Sequence, residues 1–249
     1  MKYLLIIACC CPLAGISQKI TIKPISMMGN SRYIKSKKPT IVYPVIAAST
    51  PKMSKAFNDE ISYAVFGRET PENKMNAKLK TAKKDGLTTV SYQTKYSKND
   101  LYSLYVYQEI CAAYCTSVDT YFNFDLRTGK NIRLTDLIAP NKLDSFNTTI
   151  NRRISTAILN YKNGELKELT KKAMDTATYQ WASDMIDNCT SSIAPEDFYL
   201  GKDSIMVIYN CDLPHAIRAL APPGIFSYSY KWLSYYLKPE YKDRLGSNK

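Results

Sequence analysis

The chain has 249 residues, of which 45% are hydrophobic and 22% are charged. These fractions are typical of globular proteins and exclude an intrinsically disordered or fibrous chain. Its 34 basic and 22 acidic residues give a formal net charge of +12, which favours anionic partners without defining the fold.

Residues 1–17 have the features of a secretory signal peptide. A basic start precedes an apolar run that ends near Ile16, and the small residues Gly15 and Ser17 suit cleavage there. An alternative is a lipoprotein anchored through Cys9, although the apolar stretch before that cysteine has only about five residues. In both cases we expect an exported protein, secreted or periplasmic. No later stretch is long enough to predict a transmembrane segment.

Removal of the leader takes away three of the seven cysteines and leaves Cys111, Cys115, Cys189 and Cys211. An even number in an oxidising compartment predicts two disulfides, for which three pairings are possible. Local pairing joins Cys111 to Cys115, and Cys189 then pairs with Cys211. The first bridge requires a turn, because an extended strand would separate its cysteines by about 13 Å. The single histidine and this cysteine spacing do not match a zinc site, so we expect no metal or other cofactor.

Residues 18–39 are predicted to form a basic N-terminal arm. Eight basic residues and no acid lie between Lys19 and Asn58. Two interpretations remain open: a solvated arm, or a patch that binds an acidic glycan, a lipid phosphate or another anionic envelope component. Nucleic acid is not expected as a partner outside the cell. The candidate patch consists of Arg32, Lys35, Lys37 and Lys38.

The first folded segment begins with a β-branched strand at 40–47, in which Pro44 favours a sheet edge or a bulge. A helix follows, with Thr50 as its N-cap and Gly67 at its C-terminal end. Residues 68–86 are predicted to be a polar loop.

Alternating strands and turn residues then predict an antiparallel meander. The first hairpin turns at 97–100, and Gly129 supplies positive φ in the second turn. This meander completes a first subregion, 40–138. Its strands are predicted at 87–96, 101–110, 120–126 and 131–134.

Residues 139–240 are predicted to form a second subregion of helices and closing strands. A helix from Asn141 has apolar residues at helical spacing and is expected to end at Gly164. A second helix from Glu165 is expected to have a buried side that continues through Ile186. Its predicted members are Leu166, Leu169, Ala173, Thr176, Ala177, Trp181, Met185 and Ile186. Short strands follow at 198–200 and 204–210, and 241–249 is predicted to be a C-terminal tail. The whole is an α+β fold, mainly an antiparallel sheet meander packed with helices.

Tyrosine is unusually frequent, with 20 residues against 7 Phe and 2 Trp. Tyrosine offers flat apolar area together with a hydrated hydroxyl group, which suits stacking on sugars or proteins. Ordinary cross-strand pairing would also select tyrosine in strands. The candidate ligand-binding tyrosines are Tyr92, Tyr96, Tyr102, Tyr105 and Tyr107.

Several segments resemble a known bacterial domain. They are the strand Thr40-Ile-Val-Tyr-Pro-Val-Ile46, the string Asn-Phe-Asp-Leu-x-Thr-Gly-Lys at 123–130, Leu213-Pro-His-Ala, and the C-terminal Trp232-Leu-Ser-Tyr-Tyr-Leu237. Together these are similar to an uncharacterised secreted domain found in the extracellular part of the anti-sigma factor RsiV and in the N-terminal module of the peptidoglycan deacetylase PdaC. The resemblance covers most of 40–237. It implies an α+β module that binds or positions a ligand, with lysozyme among the protein ligands.

The sequence therefore favours an exported, non-catalytic module that binds a cell-envelope glycan or a protein. The alternative is a cell-envelope hydrolase or deacetylase-like enzyme that uses His215. An enzyme of that kind requires His215 in a cleft, within hydrogen-bond reach of a carboxylate. A structural stalk would instead expose a broad apolar patch.

Overall fold

The structure is a computed structural model that describes residues 19–169, 175–191 and 197–246. The predicted signal peptide and Cys9 lie outside the described residues. Within those ranges the chain forms two β-sheets packed with helices, which confirms the predicted α+β fold class. None of the described helices is long and apolar enough to cross a bilayer.

The larger sheet has six strands in the order of the chain, β1-β2-β3-β4-β5-β6. Neighbouring strands are antiparallel except β2 and β3, which are parallel. The bounds are β1 Thr21–Met27, β2 Ile41–Ala47, β3 Leu87–Lys98, β4 Leu101–Cys111, β5 Cys115–Asp125 and β6 Lys130–Asn131.

Two expectations for the N-terminal part are wrong. Strand β1 lies within the predicted basic arm. Strand β2, which contains Pro44, is an internal strand, and its pairing with β1 has no bulge. Pro44 lies opposite Pro24 of β1, and the pairing of β2 with β3 is confined to Ile41 and Val90. On the β3 side, the missing N–H of Pro44 therefore interrupts no continuous ladder, and on the β1 side Pro44 faces a residue that also lacks an N–H.

One face of the large sheet is covered by helices α1 (Pro51–Phe66) and α2 (Met75–Lys84). The Thr50 hydroxyl accepts a hydrogen bond from Met53 N at 3.2 Å, and Gly67 ends α1 with φ 68°, so both predicted caps are confirmed. The predicted loop at 68–86 is wrong, because α2 forms there. Helix α2 is rich in lysine, and only its residues Met75 and Leu79 are buried. Two buried apolar positions are too few to give a clear helical pattern in the sequence.

The predicted turns of the meander are confirmed. Asn99 and Asp100 have positive φ between β3 and β4, and Gly129 has φ 70° before β6. Residues 112–114 form the turn that the first disulfide required, and the Cα atoms of Cys111 and Cys115 are 4.0 Å apart. The second predicted disulfide, Cys189 to Cys211, is also present, with a Cα separation of 5.5 Å.

The remaining elements build a second core. A three-stranded antiparallel sheet in the order β7-β8-β9 packs with the helices over the other face of the large sheet, at its β3–β5 part. The elements around this second core are α3 Leu134–Leu137, α4 Leu143–Tyr161, α5 Thr176–Ser191, β7 Phe198–Leu200, β8 Ser204–Ile208, β9 Ile225–Ser229, α6 Tyr230–Leu233 and α7 Pro239–Gly246.

Helix α4 buries its predicted apolar face, but it does not end at Gly164. The chain continues through a π-helical turn, Lys162–Leu166, that contains this glycine. The buried side of the next helix also differs from the prediction: Leu166 is buried, whereas Leu169 and Trp181 are 39% and 43% exposed. Thr176 and Ala177 are also exposed. Ile186 is buried as predicted, and Ala182 faces the core in addition. Ala173 lies outside the described residues.

Two buried polar groups join the sheets. Asn123 of β5 donates from Nδ2 to the carbonyl oxygen of Phe198 in β7 at 2.7 Å. Its Oδ1 accepts a hydrogen bond from the Ser103 hydroxyl at 2.8 Å, and the same hydroxyl accepts from Leu200 N at 3.3 Å. Buried polar groups of this kind are stable only when they are paired, so this network fixes β7 against β4 and β5.

The predicted C-terminal tail is wrong in its described part, because residues 239–246 form α7. Arg244 of this helix is buried and forms an ion pair with Asp125, with a distance of 2.9 Å between Nη2 and Oδ1. Nε donates to the carbonyl oxygen of Asn99 at 2.9 Å, and Nη2 donates to that of Asp100 at 2.6 Å. A single side chain thereby connects α7 to the β3–β4 turn and to the end of β5.

Candidate functional site

The five predicted tyrosines do not share one surface. Tyr102 and Tyr105 are three residues apart on β4, and successive side chains of a strand point to opposite faces. Tyr102 is 3% exposed and packs in the core under α1, where the half-buried Tyr92 also packs. Tyr96 is 5% exposed and belongs to the second core. The rings of Tyr96 and Tyr102 are therefore not accessible to a ligand.

Tyr105 and Tyr107 do reach the surface, where they join two tyrosines that the sequence analysis did not select. On β4, Leu101 and Ser103 of the same face are fully buried, whereas Tyr105 and Tyr107 are half-buried. Tyr121 of β5 lies opposite Tyr105. We call this surface the tyrosine strip; its members are Tyr105, Tyr107, Tyr121 and Tyr199.

Three rings of the tyrosine strip, on three different strands, contact one another in sequence. The centroids of Tyr105 and Tyr121 are 5.3 Å apart, and Tyr121 stacks on Tyr199 of β7 at 5.3 Å with an angle of 15° between the ring planes. Tyr199 is held there because its neighbour Phe198 accepts the hydrogen bond from Asn123. The buried network thus positions the exposed aromatic surface.

Carboxylates and one lysine line the strip. The Tyr105 hydroxyl donates to Asp119 Oδ1 at 2.5 Å, and the Tyr107 hydroxyl donates to Glu109 Oε2 at 3.1 Å. The Nζ of Lys95 lies 4.9 Å from the ring centroid of Tyr105 and 5.2 Å from that of Tyr199, within the range of a cation–π contact. The strip therefore offers flat ring faces with charged hydrogen-bonding groups beside them.

The environment raises the pKa of three phenols of the strip. Burial raises the pKa of Tyr121 to about 12, and the neighbouring negative charge of Asp119 acts in the same direction. Burial first, and then hydrogen bonds to Asp119 and Glu109, also raise the pKa of Tyr105 and of Tyr107. At neutral pH all three hydroxyl groups are hydrogen-bond donors.

The raised pKa of Tyr121 can be tested by an alkaline titration. Because the folded state favours the neutral phenol of Tyr121, its contribution to stability should be complete below the ordinary pKa of 10.0 and lost as the pH rises through about 12. An ultraviolet titration of tyrosinate should show one fewer late-titrating phenol in Tyr121→Phe than in the wild type. If the variant loses a phenol that titrates near 10 instead, the assignment is wrong.

A cleft opens beside the strip where the two sheets meet. It has a volume of about 250 Å³, and Tyr121 forms part of its wall. Polar side chains from β6, from α3 and the residue before it, and from the residue before β7 supply hydrogen-bonding groups. These include Asn131, Arg133, Thr135 and Asp197. We call this space the tyrosine cleft.

The predicted basic patch lies elsewhere. The loop that carries Arg32, Lys35, Lys37 and Lys38 is fixed by Asn30, whose backbone N donates to Leu87 O at 3.3 Å and whose side chain donates to the carbonyl oxygen of Lys83 at 2.8 Å. The patch therefore lies where α2 ends and β3 begins. Within the described ranges, no hydrogen bond, ion pair or ring contact connects its four basic side chains to the tyrosine strip.

His215 lacks the partners that the enzyme hypothesis requires. It is exposed in a 3₁₀ turn, His215–Leu220, and its ring centroid is 6.4 Å from that of Tyr114. The thiol of Cys211 is bonded to Cys189, so it cannot act as a nucleophile with His215. Among the residues that the structure describes, no carboxylate forms a hydrogen bond or ion pair with His215.

Among the residues that the structure describes, one group of potential metal ligands is present. The donor atoms of Glu109, Cys111 and Cys115 lie within 4.8 Å of one another. Because both sulfur atoms belong to a disulfide, neither is available as the thiolate that a metal requires.

The fold and the exposed aromatic surface define an α+β domain built from a large and a small sheet. Two solved structures share this fold: a DUF3298 family member from Bacteroides fragilis and a DUF3298 family protein from Pseudomonas aeruginosa. The first has a TM-score of 0.52 at 16% identity and covers 93% of this chain and 98% of its own. The second has a TM-score of 0.50 at 11% identity, with coverages of 89% and 95%. No protein-family model matches the sequence, and no curated protein does. The similarity therefore concerns the fold.

Proposed function

We propose that the protein is an exported, non-catalytic module that binds a glycan of the bacterial cell envelope on the tyrosine strip. The observation that carries the proposal is the stack of Tyr121 on Tyr199 at the edge of a cleft lined by polar side chains. The apolar face of a sugar ring packs well on flat aromatic rings, and its hydroxyl groups need polar partners beside them. The leader-like residues 1–17 and the two disulfides support an extracellular location.

The strip is suited to binding because it is already ordered. Asn123 and Ser103 fix the strand that carries Tyr199, and Tyr105 is held by its hydrogen bond to Asp119. Little side-chain entropy is lost when a ligand contacts rings that are held in place. His215 is exposed, and none of the described carboxylates pairs with it, which further supports binding over catalysis.

Binding to purified peptidoglycan and to lipopolysaccharide tests the proposal. Truncating Tyr121 or Tyr199 to alanine should weaken the binding of one of these polymers about tenfold or more, since buried aromatic anchors dominate such contacts. Tyr63→Ala is the matched control, because Tyr63 is 64% exposed on α1, far from the strip in the fold. It should bind like the wild type.

Three results would contradict the proposal. Equal binding by the strip variants and the control would remove the strip from the site. Binding of lysozyme but of neither polymer, again dependent on the strip, would make the ligand a protein, as the resemblance to RsiV suggests. Turnover of peptidoglycan that is lost in His215→Ala would make the protein an enzyme.

A further inference from the structure

A second cleft adjoins the tyrosine cleft and has a different chemistry. Its volume is about 380 Å³, and it lies between the β5–β6 turn, α3 and the start of α7. The two clefts share Asn131, Ile132 and Arg133 as wall residues, so they are neighbours across a single wall. We call the second space the basic cleft.

Three cationic side chains line the basic cleft: Lys130, Arg133 and Lys238. Its two carboxylates are already occupied. Asp125 is paired with Arg244 through both oxygens, at 2.9 and 3.0 Å, and Asp136 accepts a hydrogen bond from Arg133 N at 2.9 Å.

Within residues 19–169, 175–191 and 197–246, no carboxylate forms an ion pair with Lys130 or Lys238. The Arg133 side chain is 85% exposed, and its Nε is 3.9 Å from Asp136. Lys130 and Lys238 therefore give the cleft positive charge that none of the described carboxylates neutralises. An anion placed between these groups would gain several charge-assisted hydrogen bonds.

The backbone holds two of the cations in place. Lys130 lies opposite Asp125 in the β5–β6 pair, directly after Gly129 with its φ of 70°. Lys238 donates its backbone N–H to Leu137 O at 2.9 Å, which fixes the chain beside the end of α3. Anchored backbone positions keep the two lysines on the same cleft.

We propose that the basic cleft binds an anionic group, a carboxylate or a phosphate, of the glycan whose sugar rings pack on the tyrosine strip. This inference rests on the proposed function, since it assigns the charge of the same ligand. The shared wall at Asn131 and Arg133 allows one oligosaccharide to occupy both clefts. Thr128 and Asn131 add uncharged polar groups to the basic cleft.

The first experiment uses inorganic phosphate and acetate as probes of the full-length mature protein. In an NMR titration, the amide signals of residues 128–133 and of Lys238 should shift with phosphate or with acetate, but not with chloride at equal ionic strength. The anion that shifts them indicates whether the ligand group is a phosphate or a carboxylate. Shifts that are absent, or that are equal with all three salts, would overturn the proposal.

The second experiment compares charged and neutralised polymers. Peptidoglycan is tested before and after its carboxylates are converted to amides, and lipopolysaccharide before and after its phosphates are removed. The double variant Lys130→Gln/Lys238→Gln should bind the charged polymer about tenfold more weakly than the wild type. It should bind the neutralised polymer as the wild type does. The control Lys52→Gln/Lys80→Gln removes the same charge from exposed positions on α1 and α2.

The outcomes separate the two proposals. If Tyr121→Ala weakens binding while the two lysine double variants behave alike, the strip is the binding site and the basic cleft is not. If neutralising the polymer leaves wild-type affinity unchanged, the basic cleft is again excluded. If Tyr121→Ala has no effect but phosphate still shifts residues 128–133, the cleft binds anions and the proposed function fails.

Discussion

Replacing Arg244 with methionine should lower the free energy of unfolding by about 3–5 kcal/mol. The side chains of Arg244 and Asp125 are 5% and 6% exposed, so the substitution leaves a buried carboxylate without its partner. It also removes the donors to the carbonyl oxygens of Asn99 and Asp100. Urea denaturation followed by circular dichroism measures the change in midpoint and slope.

The surface arginine that contacts the same turn is the control. Arg127 Nε lies 2.9 Å from Asp100 Oδ2, but its side chain is 57% exposed, and solvent-exposed pairs contribute about 0–1 kcal/mol. Arg127→Met should therefore change stability by less than about 1 kcal/mol. The double variant Arg244→Met/Asp125→Leu should be more stable than Arg244→Met alone, because no unpaired charge remains buried. Equal losses in the two single arginine variants would contradict this assignment.

Sequence preferences that act over a few neighbouring residues predict the hairpins and the first helix well. Thr50 caps α1 and Gly67 ends it, and the positive φ values of Asn99, Asp100 and Gly129 occur at the predicted turns. Each feature depends on a few neighbouring residues and on the steric preferences of their backbones. The same is true of the disulfide between Cys111 and Cys115, which needs only a local turn between its two cysteines.

The tyrosine strip could be predicted only in part, because it depends on register and on distant segments. A β-bulge at Lys95 shifts β3 by one residue, so that Tyr96 lies opposite Ser103 instead of Tyr102. A one-residue shift moves a side chain to the other face of the sheet, which is why Tyr96 is buried in the second core. Tyr199 comes from β7, and no pattern near Tyr105 or Tyr121 indicates that they meet. One feature of the sequence could have helped: Tyr102 and Tyr105 are an odd number of residues apart on one strand, so their side chains point to opposite faces of the sheet.

Long-range polar contacts explain the role of the string at 123–130. In sequence, Asn123, Asp125 and Gly129 have the pattern of a strand and a turn. In the fold, Asn123 joins the two sheets and Asp125 pairs with Arg244, which is 119 residues away. The charge pattern of the C-terminal residues gives no indication of that partner, and this explains why α7 was predicted to be a tail.

Removing the disulfide between Cys189 and Cys211 should cost about 3 kcal/mol of stability, estimated from the entropy of closing its loop. This bridge spans 22 residues and connects α5 to the segment after β8. Cys211 is buried, and the Tyr209 hydroxyl donates to Cys189 O at 2.7 Å, so both ends are anchored. The measurement is chemical denaturation of Cys189→Ala/Cys211→Ala.

The other disulfide provides the comparison within the same chain. Cys111 and Cys115 are separated by only 4 residues, and the shorter loop predicts a smaller loss of about 2 kcal/mol in Cys111→Ala/Cys115→Ala. Because this bridge closes the hairpin that carries Tyr107 and Tyr121, its removal should weaken glycan binding more than removal of the longer bridge does. If the shorter bridge contributed more stability than the longer one, restriction of the unfolded chain would not be the main source of either effect.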